Sequence, residues 1–209
     1  MDPALEALVQ YGTTYNDMLL DSTSCEVVIF EGILYNVKGS SDDPRLGGSW
    51  KQLLMNYGIR GSCYVSAPLP KVGESHHPDF AVGGHMTPNP RGRVETGGIC
   101  YLMPLCHWHN NTSRNGTPFQ HRNNRMLMLH GYMKGEFFGS FISRLNDGSA
   151  GTLISIEGDS LVVTKLDDRQ IDTLEISEPE RLQSPRLLFR RVIDQGRVRF
   201  RISAAGPTP

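Results

Sequence analysis

The chain has 209 residues, a hydrophobic fraction of 38% and a formal net charge of -1. This length suits one substantial domain with an ordinary hydrophobic core, and the composition excludes a chain that is disordered throughout. The near-neutral charge excludes a global attraction for nucleic acid or for an anionic membrane, so either partner would need a local basic patch.

We expect a cytoplasmic protein with no membrane partner. No apolar stretch approaches the roughly 20 residues that a membrane span needs. The N-terminus carries neither a basic region nor an apolar signal segment. The four cysteines are Cys25, Cys63, Cys100 and Cys106. In such a chain they favour metal binding or simple burial over disulfides, and Cys25 and Cys100, which adjoin strand-like runs, are predicted to be core residues.

The first 60 residues predict two helices and a hairpin. Apolar residues recur at helical spacing from Pro3 to Leu20, after an N-cap at Asp2. The β-branched runs 26–30 and 33–37 are separated by Glu31-Gly32, which predicts a tight hairpin. Ser49 is positioned to cap a short helix that ends at Gly58.

The rest of the chain divides into a loop-rich part and a strand-rich part. From residue 61 to 135 the sequence is rich in Gly, Pro, Asn and His, which predicts a region held together by something other than a core. Short apolar runs then predict an antiparallel sheet: 137–143, 152–156, 161–164, 187–193 and 198–202, the last two about a turn at 194–196. We therefore predict an α+β fold of three parts, 1–60, 61–135 and 136–209, forming one compact unit.

All the histidines fall within a short window of the chain. The seven are His76, His77, His85, His107, His109, His121 and His130. Cys100 and Cys106 lie in the same window. Thiolate and imidazole are the donors that zinc prefers, and the spacing Cys106-x-x-His109 aims both side chains at one point. The sequence thus predicts one zinc ion held by this pair and further donors.

The segment around this pair resembles the HNH-type ββα-metal, or treble-clef, family. The corresponding pieces are Ala81-Val82-Gly83-Gly84-His85-Met86, a loop over 87–98, and a second strand running into Pro104-Leu105-Cys106-His107-Trp108-His109-Asn110. The resemblance covers about residues 63–114. It implies a zinc-binding centre of treble-clef type embedded among antiparallel strands and a few short helices.

The resemblance also implies roles for single residues. Cys106 and His109 match the knuckle ligands, and Cys63 lies where the first cysteine of the partner knuckle is expected. His85 matches the general base of the nucleases. Asn110 or Asn111 matches the later Asn or His of the motif, and His107 is a further candidate for proton transfer.

Two departures from the family pattern bear on function. The nucleases place an acid before the conserved histidine to hold a catalytic cation, and this chain has Gly84 there. The second cysteine of the partner knuckle has no match in 64–72. Either the site has three protein ligands, Cys63, Cys106 and His109, and an open catalytic position, or His85 is the fourth ligand and the site is closed.

Three functions follow as hypotheses. The first is a zinc-dependent lyase or hydrolase acting on a small molecule, with zinc as Lewis acid and a histidine moving a proton. A weaker resemblance to the fungal cyclopenases of secondary metabolism implies a ring rearrangement. The second is an HNH-like endonuclease or nucleic-acid-binding module, whose arginines over 114–125 and 186–201 contact phosphates. The third is a zinc-stapled structural or interaction module.

Overall fold

In the part of the chain that the structure describes, the fold consists mostly of antiparallel β-sheets with three short helices. A computed structural model describes residues 3–20, 25–40, 49–132, 149–157, 160–176 and 186–205. The helices are α1 (Pro3–Tyr15), α2 (Trp50–Asn56) and α3 (Asp168–Ile176). None of the helices in these ranges is long and apolar enough to cross a membrane.

The described strands form two five-stranded sheets and one small pair. They are β1 (Leu19–Leu20), β2 (Cys25–Ile29), β3 (Tyr35–Asn36), β4 (Val65–Ala67), β5 (Val82–Thr87), β6 (Gly98–Leu105), β7 (Gln120–His121), β8 (Arg125–Tyr132), β9 (Gly151–Glu157), β10 (Ser160–Leu166), β11 (Arg186–Asp194) and β12 (Arg197–Ala205). The central sheet has the order β2-β8-β6-β5-β3 and the second sheet the order β1-β12-β11-β9-β10, while β4 pairs with β7.

The second sheet confirms most of the strands predicted near the C-terminus. β9, β10, β11 and β12 cover the predicted runs and pair antiparallel. The β11–β12 hairpin turns at Gln195-Gly196, both with positive φ (50° and 78°), which is the backbone of a tight hairpin turn. Residues 137–143, predicted as a strand, lie outside the described residues.

The second helix begins and ends as the sequence predicts. The Ser49 hydroxyl accepts a hydrogen bond from the N–H of Gln52, and Gly58 takes the positive φ (70°) that ends the helix. The first helix is shorter than predicted. It ends at Tyr15, Asp17 has a left-handed φ of 58°, and Leu19–Leu20 pairs with β12 instead, because apolar spacing over two residues cannot distinguish a helix end from a short strand.

The predicted hairpin at Glu31-Gly32 is wrong. β2 pairs with β8 and β3 pairs with β5, so the two strands lie at opposite edges of the central sheet. The Phe30 N–H donates to the Asn124 carbonyl at 2.8 Å and the Leu34 N–H to the Phe119 carbonyl at 3.2 Å. The backbone hydrogen bonds of this segment are therefore made to residues distant in sequence. Strand-like residues alone do not specify which strand they pair with.

Residues 61–135 have more regular structure than their composition predicts. They supply β4 to β8 and much of the largest hydrophobic core, which α2 covers. Gly83 lets α2 approach: a Cβ there would lie 2.6 Å from the backbone carbonyl carbon of Trp50. This packing fixes the strand pair β5–β6 at the end where Gly83 lies opposite Pro104 and β6 leads into Cys106. The candidate site lies at that same end.

Candidate metal centre

Three segments of the chain bring four Cys and His side chains together. Cys63 lies just before β4, and its N–H donates to the Pro78 carbonyl at 2.7 Å. His77 lies in the loop between β4 and β5. Cys106 and His109 occupy the turn directly after β6, which closes through a hydrogen bond from the Asn110 N–H to the Cys106 carbonyl at 3.1 Å.

The ligand atoms of the four side chains lie close enough to share one metal ion. Each residue offers one atom, and all four atoms lie within 4.8 Å of one another. Nδ1 of His109 is 3.1 Å from Sγ of Cys106 and 3.4 Å from Sγ of Cys63, and Nδ1 of His77 is 3.7 Å from Sγ of Cys106. A sulfur and a nitrogen on one tetrahedral zinc are separated by about 3.6 Å. The group could therefore hold a metal ion such as zinc.

Hydrogen bonds around His109 prepare its ring for a metal. Nε2 is 2.9 Å from the Pro68 carbonyl. Because a carbonyl only accepts, Nε2 carries the proton and Nδ1 presents its lone pair to the cluster, as metal-bound histidines generally do. The Asn36 side-chain amide donates to the His109 carbonyl at 2.8 Å. β3 thus holds the backbone of the turn in place.

Burial sets the protonation of the candidate ligands. Cys63 and His109 are fully buried and Cys106 is 2% exposed. Burial raises the pKa of the Cys63 thiol to about 11. Burial also lowers the pKa of His109 and, together with the Arg122 charge, that of His77. The histidines are thus held neutral, as ligands must be, and a buried thiolate here calls for a cation beside it.

These shifts predict that the protein is sensitive to acid. The lowered pKa of His77 and His109 means that the unfolded chain binds more protons than the folded one as pH falls through about 6.5, the usual histidine value. Stability is therefore fully present above that pH and is lost below it. Urea unfolding at pH 7.5 and pH 5.5 should give a lower midpoint at the acid pH.

The exposed His107 provides the control for the acid effect. Its replacement by Gln should leave the difference between the two midpoints unchanged. Equal midpoints at pH 7.5 and pH 5.5 in the unaltered protein would contradict the assignment of His77 and His109 as neutral side chains.

Three of the four predicted ligands lie in the group, and His77 joins them. Cys63, Cys106 and His109 come together, whereas His77 is not among the ligands predicted from the sequence. Residues 64–72 contain no second cysteine at knuckle spacing from Cys63, and the fourth donor is a histidine further along, at position 77. The concentration of histidines between residues 76 and 130 was the signal that a histidine could be the fourth ligand in place of that cysteine.

His85 lies elsewhere on β5 and is not part of the four-residue group. It is 4% exposed. Its ring packs edge-on against Trp50, with centroids 4.3 Å apart, and is tilted against Tyr132 at 5.2 Å. Its predicted part in catalysis stays a prediction. The other catalytic candidates, His107 and Asn110, are exposed on the turn that carries Cys106 and His109.

The side chain of Leu105 packs against Gly84, the position at which the HNH-type nucleases carry an acid. A Cβ on Gly84 would lie 2.1 Å from Cδ1 of Leu105 and 3.3 Å from Oδ1 of Asn110. Leu105 itself is fully buried. Position 84 therefore has no room for a carboxylate side chain in this packing.

A cleft of about 440 Å³ opens beside the metal-binding group. One wall comes from the loop that carries His77 and includes His76 and Asp79; the other comes from the turn and includes Cys106, His107 and Trp108. The guanidinium of Arg114 lies 3.6 Å above the Trp108 ring, so Arg114, predicted as part of a basic cluster, instead supports this wall.

Comparison with protein-family models, with curated proteins and with solved structures finds no match to this chain. The fold and the site themselves define the class of protein: an antiparallel β-sheet protein with a buried Cys₂His₂ group able to hold one metal ion.

Proposed function

We propose that this chain is a zinc protein whose ion is held by Cys63, His77, Cys106 and His109. The observation that carries this proposal is the set of four donors from three separate segments, with sulfur–nitrogen distances of 3.1 to 3.7 Å. Two thiolates and two imidazoles are typical of structural zinc, and four protein ligands close the site. In this proposal the ion fastens the loop after β4 to the turn after β6.

We also propose that the centre is of treble-clef type. In support, β5 and β6 pair antiparallel and the Cys106–His109 turn follows β6 directly, as the resemblance to the HNH-type family implies. The helix that follows in that family has no equivalent among the described residues 110–132. A single 3-10 turn over Thr112–Arg114 stands there instead.

The proposed activity is on a small molecule bound in the cleft. A cleft of about 440 Å³ falls within the size range of small-molecule sites. His76, His107 and Asp79 line it and are suited to moving a proton to or from a bound substrate. A bound zinc ion would hold the two walls of the cleft together. It would also polarise a substrate oxygen as a Lewis acid if one of the four protein ligands were displaced. A cleft with these side chains suits a lyase or ring-rearranging reaction of the cyclopenase kind, or a hydrolysis.

The nucleic-acid function is the second candidate, and one observation favours it. β11 and β12 place Arg190 directly opposite Arg201 on one face of the second sheet, and facing like charges suit an anionic partner. Gly84 weighs against a nuclease, because the packing of Leu105 leaves no room for the acid that would hold the catalytic cation.

A titration separates these two proposals. With a labelled mixed-sequence single strand and duplex of DNA and RNA at low salt, we expect no saturable binding by the zinc-loaded protein. Binding that weakens steeply with salt, and that Arg190→Ala and Arg201→Ala each reduce, would replace the small-molecule proposal with the nucleic-acid one. Arg93→Ala, an exposed arginine outside the second sheet, is the matched control.

We propose a cytoplasmic location, as the sequence leads us to expect. A centre that needs two thiolates is best kept in a reducing compartment. All four cysteines are free thiols in the structure, which is compatible with this location.

A further inference from the structure

The cleft beside the metal centre combines negative charge with an aromatic wall. Glu74 and Asp79 line it on the loop side, and Trp108 lines it on the turn side. Both carboxylates are exposed, and none of the described residues forms an ion pair with either. Trp108 is half-buried and lines the cleft, and the Arg114 guanidinium, 3.6 Å from the centre of its ring, holds the ring in place.

Local hydrogen bonds define the loop that carries the two acids. Oε2 of Glu74 accepts from the Lys71 N–H at 3.1 Å, and the Asp79 N–H donates to the His76 carbonyl at 2.8 Å. The loop that carries both acids therefore has a defined shape, and it is tied to the site through His77. Two carboxylates that line one concave, partly apolar cleft attract a cation and repel an anion.

We propose that the cleft binds a small molecule that joins a protonated amine to a flat apolar ring. The amine lies toward Glu74 and Asp79, and the ring lies against Trp108. This rests on the proposed metal centre, because the metal would join the two walls. His77 lies in the loop that forms one wall, and Cys106 lines the other wall. Binding of the metal and binding of the amine are therefore linked, and each strengthens the other.

The test uses three probes of similar shape and different charge: 2-phenylethylamine, 2-phenylethanol and 3-phenylpropanoate. The zinc-loaded full chain is titrated at pH 8, where free histidine is neutral, and binding is measured by calorimetry. Quenching of tryptophan fluorescence provides a second readout, because Trp108 lines the cleft while Trp50, the other of the two tryptophans, is 3% exposed in the core. We expect the amine to bind about tenfold more tightly than the alcohol, as two nearby charges suggest, and the carboxylate to bind least.

Variants assign the preference to the acids. Glu74→Gln with Asp79→Asn should bring the amine to the affinity of the alcohol, whereas Glu95→Gln, an exposed acid in the turn between β5 and β6, should change nothing. Removal of zinc with a chelator should weaken amine binding about tenfold, a typical coupling between linked sites. Equal affinity for the three probes, or binding to none of them, overturns the proposal.

Zinc content is measured on the same samples, which keeps the two proposals distinguishable. One zinc per chain without any preference for the amine supports the metal centre and rejects amine binding in the cleft. Absence of zinc rejects the centre and, with it, the linkage between metal and amine.

Discussion

Cys106→Ser is expected to release the metal and to unfold the region around it. Cys106 is 2% exposed and its Sγ is the sulfur that lies near both histidine ligands, at 3.1 and 3.7 Å. A serine hydroxyl does not ionise near neutral pH and binds zinc weakly. Structural zinc contributes about 10–16 kcal/mol of apparent binding free energy in small zinc domains. Losing one thiolate should therefore lower zinc affinity more than about 100-fold.

The measurements are zinc per chain after dialysis and the midpoint of thermal unfolding. Cys100→Ser is the matched control, because Cys100 is equally buried on β6 but lies outside the metal-binding group. It should keep its zinc and lose only about 1–3 kcal/mol from a buried hydroxyl. A Cys106→Ser protein that retains full zinc and an unchanged midpoint would remove Cys106 from the centre.

Gly84→Ala is expected to destabilise the fold by about 1–3 kcal/mol, the usual cost of overpacking a core. The new Cβ would lie 2.1 Å from Cδ1 of Leu105, which is itself fully buried. Leu105→Ala alone should cost about 2–5 kcal/mol, because it leaves a cavity. The double variant should cost about 1–3 kcal/mol less than the sum of the two, since the smaller residue at 105 makes room for the methyl group.

Urea unfolding of the four proteins measures this coupling. Additive losses would mean that Leu105 does not limit position 84, and the physical reason given for the missing acid would fail. A comparison between Gly84→Asp and Gly84→Ala in the Leu105→Ala background extends the cycle: the aspartate should still cost more, because a buried carboxylate lacks a partner there.

The parts of the fold that the sequence predicts well are those set by local chemistry. The Ser49 hydroxyl caps α2, Gly58 ends it, and the β11–β12 hairpin turns at Gly196. Each depends on residues within a few positions of one another. The hairpin at Glu31-Gly32 fails because strand pairing is decided by packing across the whole sheet, and β2 finds its partner in β8, about 100 residues later.

The site shows the same division between local and distant information. Cys106 and His109 are three residues apart and their side chains meet because one turn holds both. His77 reaches them from a separate loop. Its distance in sequence from Cys63 follows no motif spacing, so the sequence does not identify it as a ligand. The cleft depends on that loop folding back against the turn, which neither composition nor periodicity specifies. Burial, visible only in the fold, is what lowers the pKa of both histidines.

The coordination of the metal tests the central claim most directly. X-ray absorption at the zinc edge of the purified full chain should show one four-coordinate ion with two sulfur neighbours at about 2.3 Å and two nitrogen neighbours at about 2.0 Å. His77→Ala should lose one nitrogen, and His85→Ala should change nothing. A protein that carries no metal, or an ion with one sulfur and mainly oxygen neighbours, would contradict a centre formed by Cys63, His77, Cys106 and His109.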